Sequence, residues 1–383
     1  MKKKHLIVGA GVTGCTIAAC LSHRGHQVHV IDRADKIGGL CADTKETQTF
    51  GPHIFHTSDE RVYRFISEYT TIDGWKNRVL ASTSYGLLNF PVNLQTLSIV
   101  YGKRLTANQA IKEMESDREA SATPMENAES FLYTSIGRKL TDTFFRAYSE
   151  RQWKMPLNKI PSSVVQRIPS PRLNLEDGYF NDKYQGLPDR GFTDLFNRML
   201  DDPDIEVSLN TPYEQSMNDD YDVVWYTGPI DQYHNFKHGA LPYNSVYWTR
   251  EYIVNDSQGN AVINNCLNNP NDDVTRSIEY PLLGKNVYHQ EKPFIIHEHS
   301  VGPKHFNDRD GKFTLAYPIA TEENQNLYKK YKDEPTDPKV RFVGRLANYA
   351  YYNMDVAIKK ALEAVDAALG VWDDKALYEQ EEW

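Results

Sequence analysis

Residues 5–32 read HLIVGAGVTGCTIAACLSHRGHQVHVID, and this stretch restricts the fold more tightly than any other. The apolar HLIV predicts a short buried strand, after which Gly9, Gly11 and Gly14 form G-x-G-x-x-G. Helix continues through Ala18 and Leu21, and HQVHVID predicts a second strand ending in Asp32. Each position has a mechanical reason. Gly9 permits a tight turn, Gly11 lets the backbone approach a pyrophosphate, and Gly14 lets helix and strand pack closely. The helix start offers free N–H groups and a partial positive charge to phosphate, and Asp32 stands where a carboxylate accepts from ribose hydroxyls. Lysines at 2–4 ahead of an apolar run also fit a secretory signal. Strand, glycine turn, helix, strand and terminal acid in register decide for the dinucleotide fold.

Shortly after Asp32 comes DKIGGLCAD, with Gly38, Gly39 and Leu40. A second glycine pair at this point resembles FAD proteins of the glutathione-reductase-like class more than nicotinamide dehydrogenases, so FAD is the expected cofactor. Composition narrows the partners. The formal net charge of −9 leaves no basic surplus to displace phosphate counterions, and nucleic-acid binding is not expected. Beyond the N-terminus no apolar run approaches the ~20 residues of a bilayer-crossing helix, so no membrane insertion is expected. Cys15, Cys20, Cys41 and Cys266 have neither metal-ligand spacing nor the density of a disulfide framework. No metal is expected, and a reducing, cytoplasmic location is.

The βα rhythm breaks after the nucleotide motif. FGPHIFHT and DERVYRFISEYT still read as nucleotide domain, but residues 97–148 carry apolar positions at three- and four-residue spacing and predict helices. KIPSSVVQRIPSPRLNLEDGYF, rich in Pro and Ser, predicts an exposed loop leading into a strand. FTDLFNRML predicts an amphipathic helix, YDVVWYTGPID a strand ending in a Gly-Pro turn, and residues 244–299 an antiparallel sheet. VRFVGRLANYAYYNMDVAIKKALEAVDAAL predicts strand, turn and long helix. The expected fold class is α/β. A Rossmann-like FAD-binding domain spans 1–75, 189–232 and 312–383, with an inserted helical domain at 76–160. An antiparallel β-sheet domain for substrate spans 161–188 and 233–311.

The segments GAGVTG, FGPHIFHT, FFRAYSERQW, QRIP, GYFNDKYQGLP, YTGPIDQY, GNAVIN, DVTRSIEY and GRLANYAYYNM run through nearly the whole chain. In them the sequence resembles the UDP-galactopyranose mutase family. The resemblance implies an FAD-dependent isomerase of polysaccharide biosynthesis that converts UDP-galactopyranose to UDP-galactofuranose with no net redox change. N5 of reduced flavin attacks the anomeric carbon and UDP leaves; the sugar ring opens, recloses through its C4 hydroxyl and recaptures UDP. This is covalent catalysis by the cofactor, in which the protein positions and stabilises. An external reductant such as NADPH primes the flavin. The implied partner is a UDP-sugar, and the implied assembly a homodimer or higher homo-oligomer.

Specific positions follow from the same resemblance. Arg167 and Arg276 take the two diphosphate-binding arginine positions, and charge-assisted hydrogen bonds to a leaving diphosphate are worth about 1.5–3 kcal/mol each. Tyr148, Tyr179, Tyr317 and Tyr351 line the nucleotide and diphosphate pocket, with Asn264 on the substrate side and Trp153 shaping it. Phe144 and Phe145 flank the uracil, a helix-core role being the alternative. His53 and His56 lie against the flavin, where imidazole stabilises an anionic reduced ring or hydrogen-bonds the sugar. Glu298 faces the sugar. Gly9, Gly11, Gly14, Asp32, Arg33, Gly38, Gly39, Leu40, His53, Gly228, Arg345, Asn353 and Met354 hold the cofactor.

Four departures from the family pattern stand out. Asn348 and Asn353 replace an acid each, Val274 replaces a tyrosine, and two extra residues precede Arg276. They suggest an altered sugar preference, such as an N-acetylated, deoxy or pentose pyranose. A redox flavoenzyme sharing the FAD domain and a noncatalytic FAD-binding relative are the competing readings.

Overall fold

The strands Lys4–Val8 and Gln27–Ile31 pair in parallel, with the helix Val12–Ser22 crossing between them. The computed structural model describes residues 2–118, 125–166, 170–253, 257–304, 314–351 and 353–370. Parallel neighbours need such a crossover, which covers one sheet face and buries both. Leu6 and Ile7 are accordingly fully buried. The five-stranded parallel sheet runs Val340–Phe342, Val223–Tyr226, Lys4–Val8, Gln27–Ile31, Ile205–Ser208 in spatial order. Small residues let the helix Val12–Ser22 sink between the helices Phe192–Leu200 and Met354–Leu369. Asp366 of the last helix locks this layer, accepting from Arg24 at 2.8 Å and pairing with Arg61 of the helix Glu60–Ser67.

A seven-stranded sheet holds the other half. Its order is Thr314–Pro318, Tyr243–Tyr252, Phe294–Lys304, Val274–Ile278, Val262–Asn265, Val79–Thr83, Gly86–Phe90, all antiparallel except the pair Val262–Asn265 with Val79–Thr83. Helices Leu94–Val100, Ala107–Asp117 and Ala128–Ile136 start on side-chain caps from Asn93, Thr106 and Asn127, the residue types that satisfy free N–H groups. A further helical run ends in Ala147–Trp153 and contains a π-helical stretch, Thr141–Arg146.

The expected boundaries shift in three places. Residues 79–90, assigned to the helical segment, form a hairpin at the sheet edge, where alternate residues Val79, Ala81 and Thr83 are buried. The described residues of 161–188 add no strand to the large sheet. They contribute the short helix Ser162–Gln166, part of the segment read as loop, and the strand Tyr184–Gly186, which pairs with Phe55–Thr57. The strand Thr314–Pro318, assigned to the nucleotide domain, pairs instead with Tyr243–Tyr252 in the large sheet. In each case long-range pairing, which short apolar runs do not reveal, decides the partner. Among the described residues no helix is long and apolar enough to cross a membrane.

Candidate active site

At the C-terminal edge of the parallel sheet the expected cofactor residues gather. Gly9 follows the first strand with φ +112°, and a Cβ there would meet Thr227 Oγ1 at 2.2 Å. A Cβ on Gly14 would sit 1.8 Å from the Gly9 carbonyl oxygen. Gly11 is different: its Cβ would meet only the Gly39 Cα, at 3.8 Å, so the backbone stands open there. Gly38 donates to the Ala10 carbonyl at 2.8 Å and bridges to Gly11, which lays the second glycine pair and Leu40 beside the first turn. The helix Val12–Ser22 begins on Gly11 with no side-chain cap, leaving first-turn N–H groups for an anion. Open backbone, an uncapped helix start and an adjoining acid suit a dinucleotide pyrophosphate.

Asp32 accepts from the N–H of Ala10 and of Ala34, each at 2.8 Å. It thus braces the glycine turn, and a carboxylate's remaining lone pairs stay available to a ribose. Arg33 is next to it at the surface. Gly228 leaves the neighbouring strand Val223–Tyr226 at the same edge. Gly344 packs on Thr13, bringing Arg345 over that edge, and Asn353 and Met354 start the last helix. Asn348 has a structural task, accepting from Gly344 N–H at 3.2 Å and donating to the Phe342 carbonyl at 3.4 Å. A carboxylate in its place could not make the second bond.

The large sheet supplies the other wall. Asn264, Arg276, Glu298 and Trp248 stand opposite one another on four adjacent strands. Arg276 Nη2 donates to Glu298 Oε2 at 2.7 Å, the carboxylate being 1 % exposed. Arg276 Nε is buried without a hydrogen-bond partner, as are the indole nitrogens of Trp248 and Trp153. Burial alone would lower the Arg276 pKa; the facing Glu298 carboxylate and the Tyr148 and Tyr317 phenols hold it well above its usual value. Tyr148 lies within electrostatic reach of Arg276, Glu298, Tyr179 and Tyr317, and burial raises its phenol well above the ordinary value. Tyr317 is pushed up to about 12, mainly by burial and by neighbouring Tyr351. Its ring stands 6.5 Å from Trp153 and 5.1 Å from Tyr351, and Arg345 lies over both tyrosines at 5.8 and 5.3 Å.

His53 joins this group from the loop before the strand Phe55–Thr57. Burial, then the charge of Arg345, pushes its imidazole down to about 4. Nδ1 is 3.0 Å from the Gly51 carbonyl, which can only accept, so Nδ1 carries the proton and Nε2 is left as an acceptor. His56 behaves differently. Its Nδ1 is 2.8 Å from Asp182 and its ring stacks on Phe180 at 3.8 Å, tying the segments 53–57 and 179–186 together. Phe144 and Phe145 are 1 % and 6 % exposed and pack with Phe90; Phe90 in turn touches Tyr179. This is the core alternative, one layer behind the pocket. Arg167 lies outside the described residues.

Sequence reasoning passed over Trp248, Thr275, Phe180 and Asp182. The last two stand inside the GYFNDKYQGLP segment and were open to recognition. Thr275 was not, because alternation along a strand turns neighbours to opposite faces.

A sheet edge with a glycine cradle, facing a half-buried arginine ringed by tyrosines, defines an α/β dinucleotide-binding protein equipped for an anionic ligand. A family described as UDP-galactopyranose mutase matches residues 143–351, and one described as NAD(P)-binding Rossmann-like domain matches residues 7–69. The chain is 32% identical to a probable UDP-galactopyranose mutase of Klebsiella pneumoniae, covering 96% of this chain and 95% of that protein. It is also 32% identical to a dTDP-fucopyranose mutase of Escherichia coli, covering 94% and 97%. The crystal structure of a reduced UDP-galactopyranose mutase shares the fold, with a TM-score of 0.70, 16% identity and coverage of 99% and 98%. The chain belongs to the UDP-galactopyranose mutase family. It is an enzyme, an isomerase of the nucleotide-sugar pyranose mutase type.

Proposed function

We propose that the chain interconverts the pyranose and furanose forms of a UDP-linked sugar, with UDP-galactose as the first candidate, using bound FAD in its reduced state. The observation that carries this reading is Arg276: a half-buried cation with a buried, unpartnered Nε, surrounded by phenols. Oxidation of an amine or alcohol needs no such group, whereas departure of a diphosphate does, because negative charge grows on its oxygens as the anomeric bond breaks. When bound and reduced, the flavin supplies a nucleophilic nitrogen to the anomeric carbon. The residues of the chain do the remaining work. Arg276 meets the diphosphate, with Arg167 as the second cation. Tyr148 and Tyr317 keep their protons at neutral pH and so donate to phosphate oxygens. Neutral His53 offers Nε2 as acceptor to a sugar hydroxyl. Trp153, 2 % exposed beside Tyr317, excludes water. The glycine turn, Asp32 and the Gly38–Gly39 pair hold the dinucleotide.

The sugar is the open choice within this reading. Asn353 puts a neutral amide at the start of the last helix, and a relative of equal identity is a dTDP-fucopyranose mutase. Dithionite-reduced protein should convert UDP-galactofuranose to the pyranose, followed by chromatography, while oxidised protein does not. Assaying dTDP-fucose, UDP-N-acetylgalactosamine and UDP-arabinose alongside ranks the sugars. Conversion of none of them would defeat the proposal, and preference for a sugar other than galactose would support the altered wall.

A further inference from the structure

Glu298 does not reach into the pocket. Its side chain is 1 % exposed, and both carboxylate oxygens are engaged: Oε2 by Arg276 at 2.7 Å, Oε1 by the Thr275 hydroxyl at 3.0 Å. Gly51 closes over it, since a Cβ on that glycine would stand 3.2 Å from Oε2 and 3.8 Å from Arg276 Nη2. Arg276 is the group on the open side, with its side chain 18% exposed. Thr275 and Arg276 are consecutive in one strand, so a regular pleat would point them to opposite faces. They act on the same carboxylate because the ladder slips there. Arg276 faces Glu298 while Val274 faces His299, a bulge of the kind that re-aims side chains. The bulge sits directly after the segment that carries the two extra residues.

Resting on the reading above, we propose that Glu298 and Thr275 are positioning residues. They grip one end of the Arg276 guanidinium from behind and aim its free edge at the diphosphate, and neither contacts the sugar. Thr275, fully buried, shares its single hydroxyl proton between the Glu298 main-chain carbonyl at 2.9 Å and Oε1 at 3.0 Å, which ties Oε1 to the strand and leaves Oε2 to the arginine. The bulge is the backbone device that makes this triplet possible.

UDP separates this role from a sugar-facing one, because it carries the diphosphate and lacks the sugar. Calorimetric titration of the flavin-loaded protein with UDP should show affinity about tenfold weaker in Thr275→Val, the cost of one buried hydrogen bond to a charged group. Thr275→Ser, which restores the hydroxyl, should return to within about threefold of wild type. Glu298→Ala should weaken UDP at least as much as Thr275→Val. Flavin content and melting temperature of Thr275→Val and Thr275→Ser should match each other, a comparison that a merely structural threonine would not pass alongside a difference in UDP binding. Unchanged or tighter UDP binding in Thr275→Val and Glu298→Ala, with only sugar turnover lost, overturns the proposal. Wild-type protein that binds no UDP overturns the functional reading itself.

Discussion

Arg276 keeps its proton while His53 gives its own up, although burial acts against the charge of both. The difference is the neighbour. A carboxylate faces the arginine, and two arginines lie near the histidine. Loss of the Arg276 contact should be felt in the transition state, so Arg276→Ala is expected to lower kcat/KM about a hundred- to thousandfold with the flavin spectrum intact. Steady-state kinetics on reduced protein checks it, and Arg276→Lys should recover only part, since an ammonium lacks the planar fork. Gly14→Ala is the opposite kind of lesion. A methyl 1.8 Å from a carbonyl oxygen forces the turn apart, and the purified protein should come out colourless. The glycines were legible because their spacing alone dictates the turn. The neutrality of His53 was not, since it depends on burial among distant segments and then on Arg345, 292 residues later in the chain. The burial of Phe144 and Phe145 was legible only as one of two alternatives, since the Phe90 that packs against both lies on a distant hairpin.

Among the elements, the segment 265–273 lies between the strands that carry Asn264 and Arg276. Arg151 of the helix Ala147–Trp153 holds it through three carbonyls: Asn265 and Leu267 at 2.7 Å each and Asp272 at 2.8 Å. That helix also presents Tyr148 and Trp153, so one arginine couples the pocket to this segment. Arg151→Ala should speed hydrogen exchange across 265–273 and raise KM more than it lowers kcat. Asp366 has the corresponding role in the nucleotide half, joining three helices through Arg24 and Arg61. Asp366→Ala should cost about 2–3 kcal/mol in urea unfolding, because it removes the carboxylate that two half-buried guanidinium groups share. The long helices and the first βαβ unit were readable from periodicity. The hairpin at 79–90 and the membership of Thr314–Pro318 were not, because a strand's own sequence names its faces and not its partner.

For the whole molecule, stability should fall on mild acidification. His5 and His53 both have imidazoles pushed down to about 4, chiefly by burial. Between that value and the ordinary 6.5 the unfolded chain binds the extra protons, so stability rises with pH across this window and is lost as pH falls through it. Urea unfolding at pH 6.5 and pH 5 should differ by about 1–2 kcal/mol for each of the two histidines, and His5→Asn should remove its share. The two-sheet architecture makes the site itself. One sheet edge suits a dinucleotide, the other sheet offers a half-buried cation, and the loop at 49–53 lies between them.

The central claim is that the anomeric carbon–oxygen bond breaks and re-forms while the diphosphate is held beside Arg276. UDP-galactopyranose labelled with heavy oxygen in the bridge between sugar and β-phosphate reports this directly. Incubated with reduced protein and recovered, it should carry the label spread into the non-bridging β-phosphate positions, and Arg276→Ala should slow the spread in step with turnover. Ring contraction with the label retained wholly in the bridge would contradict the account.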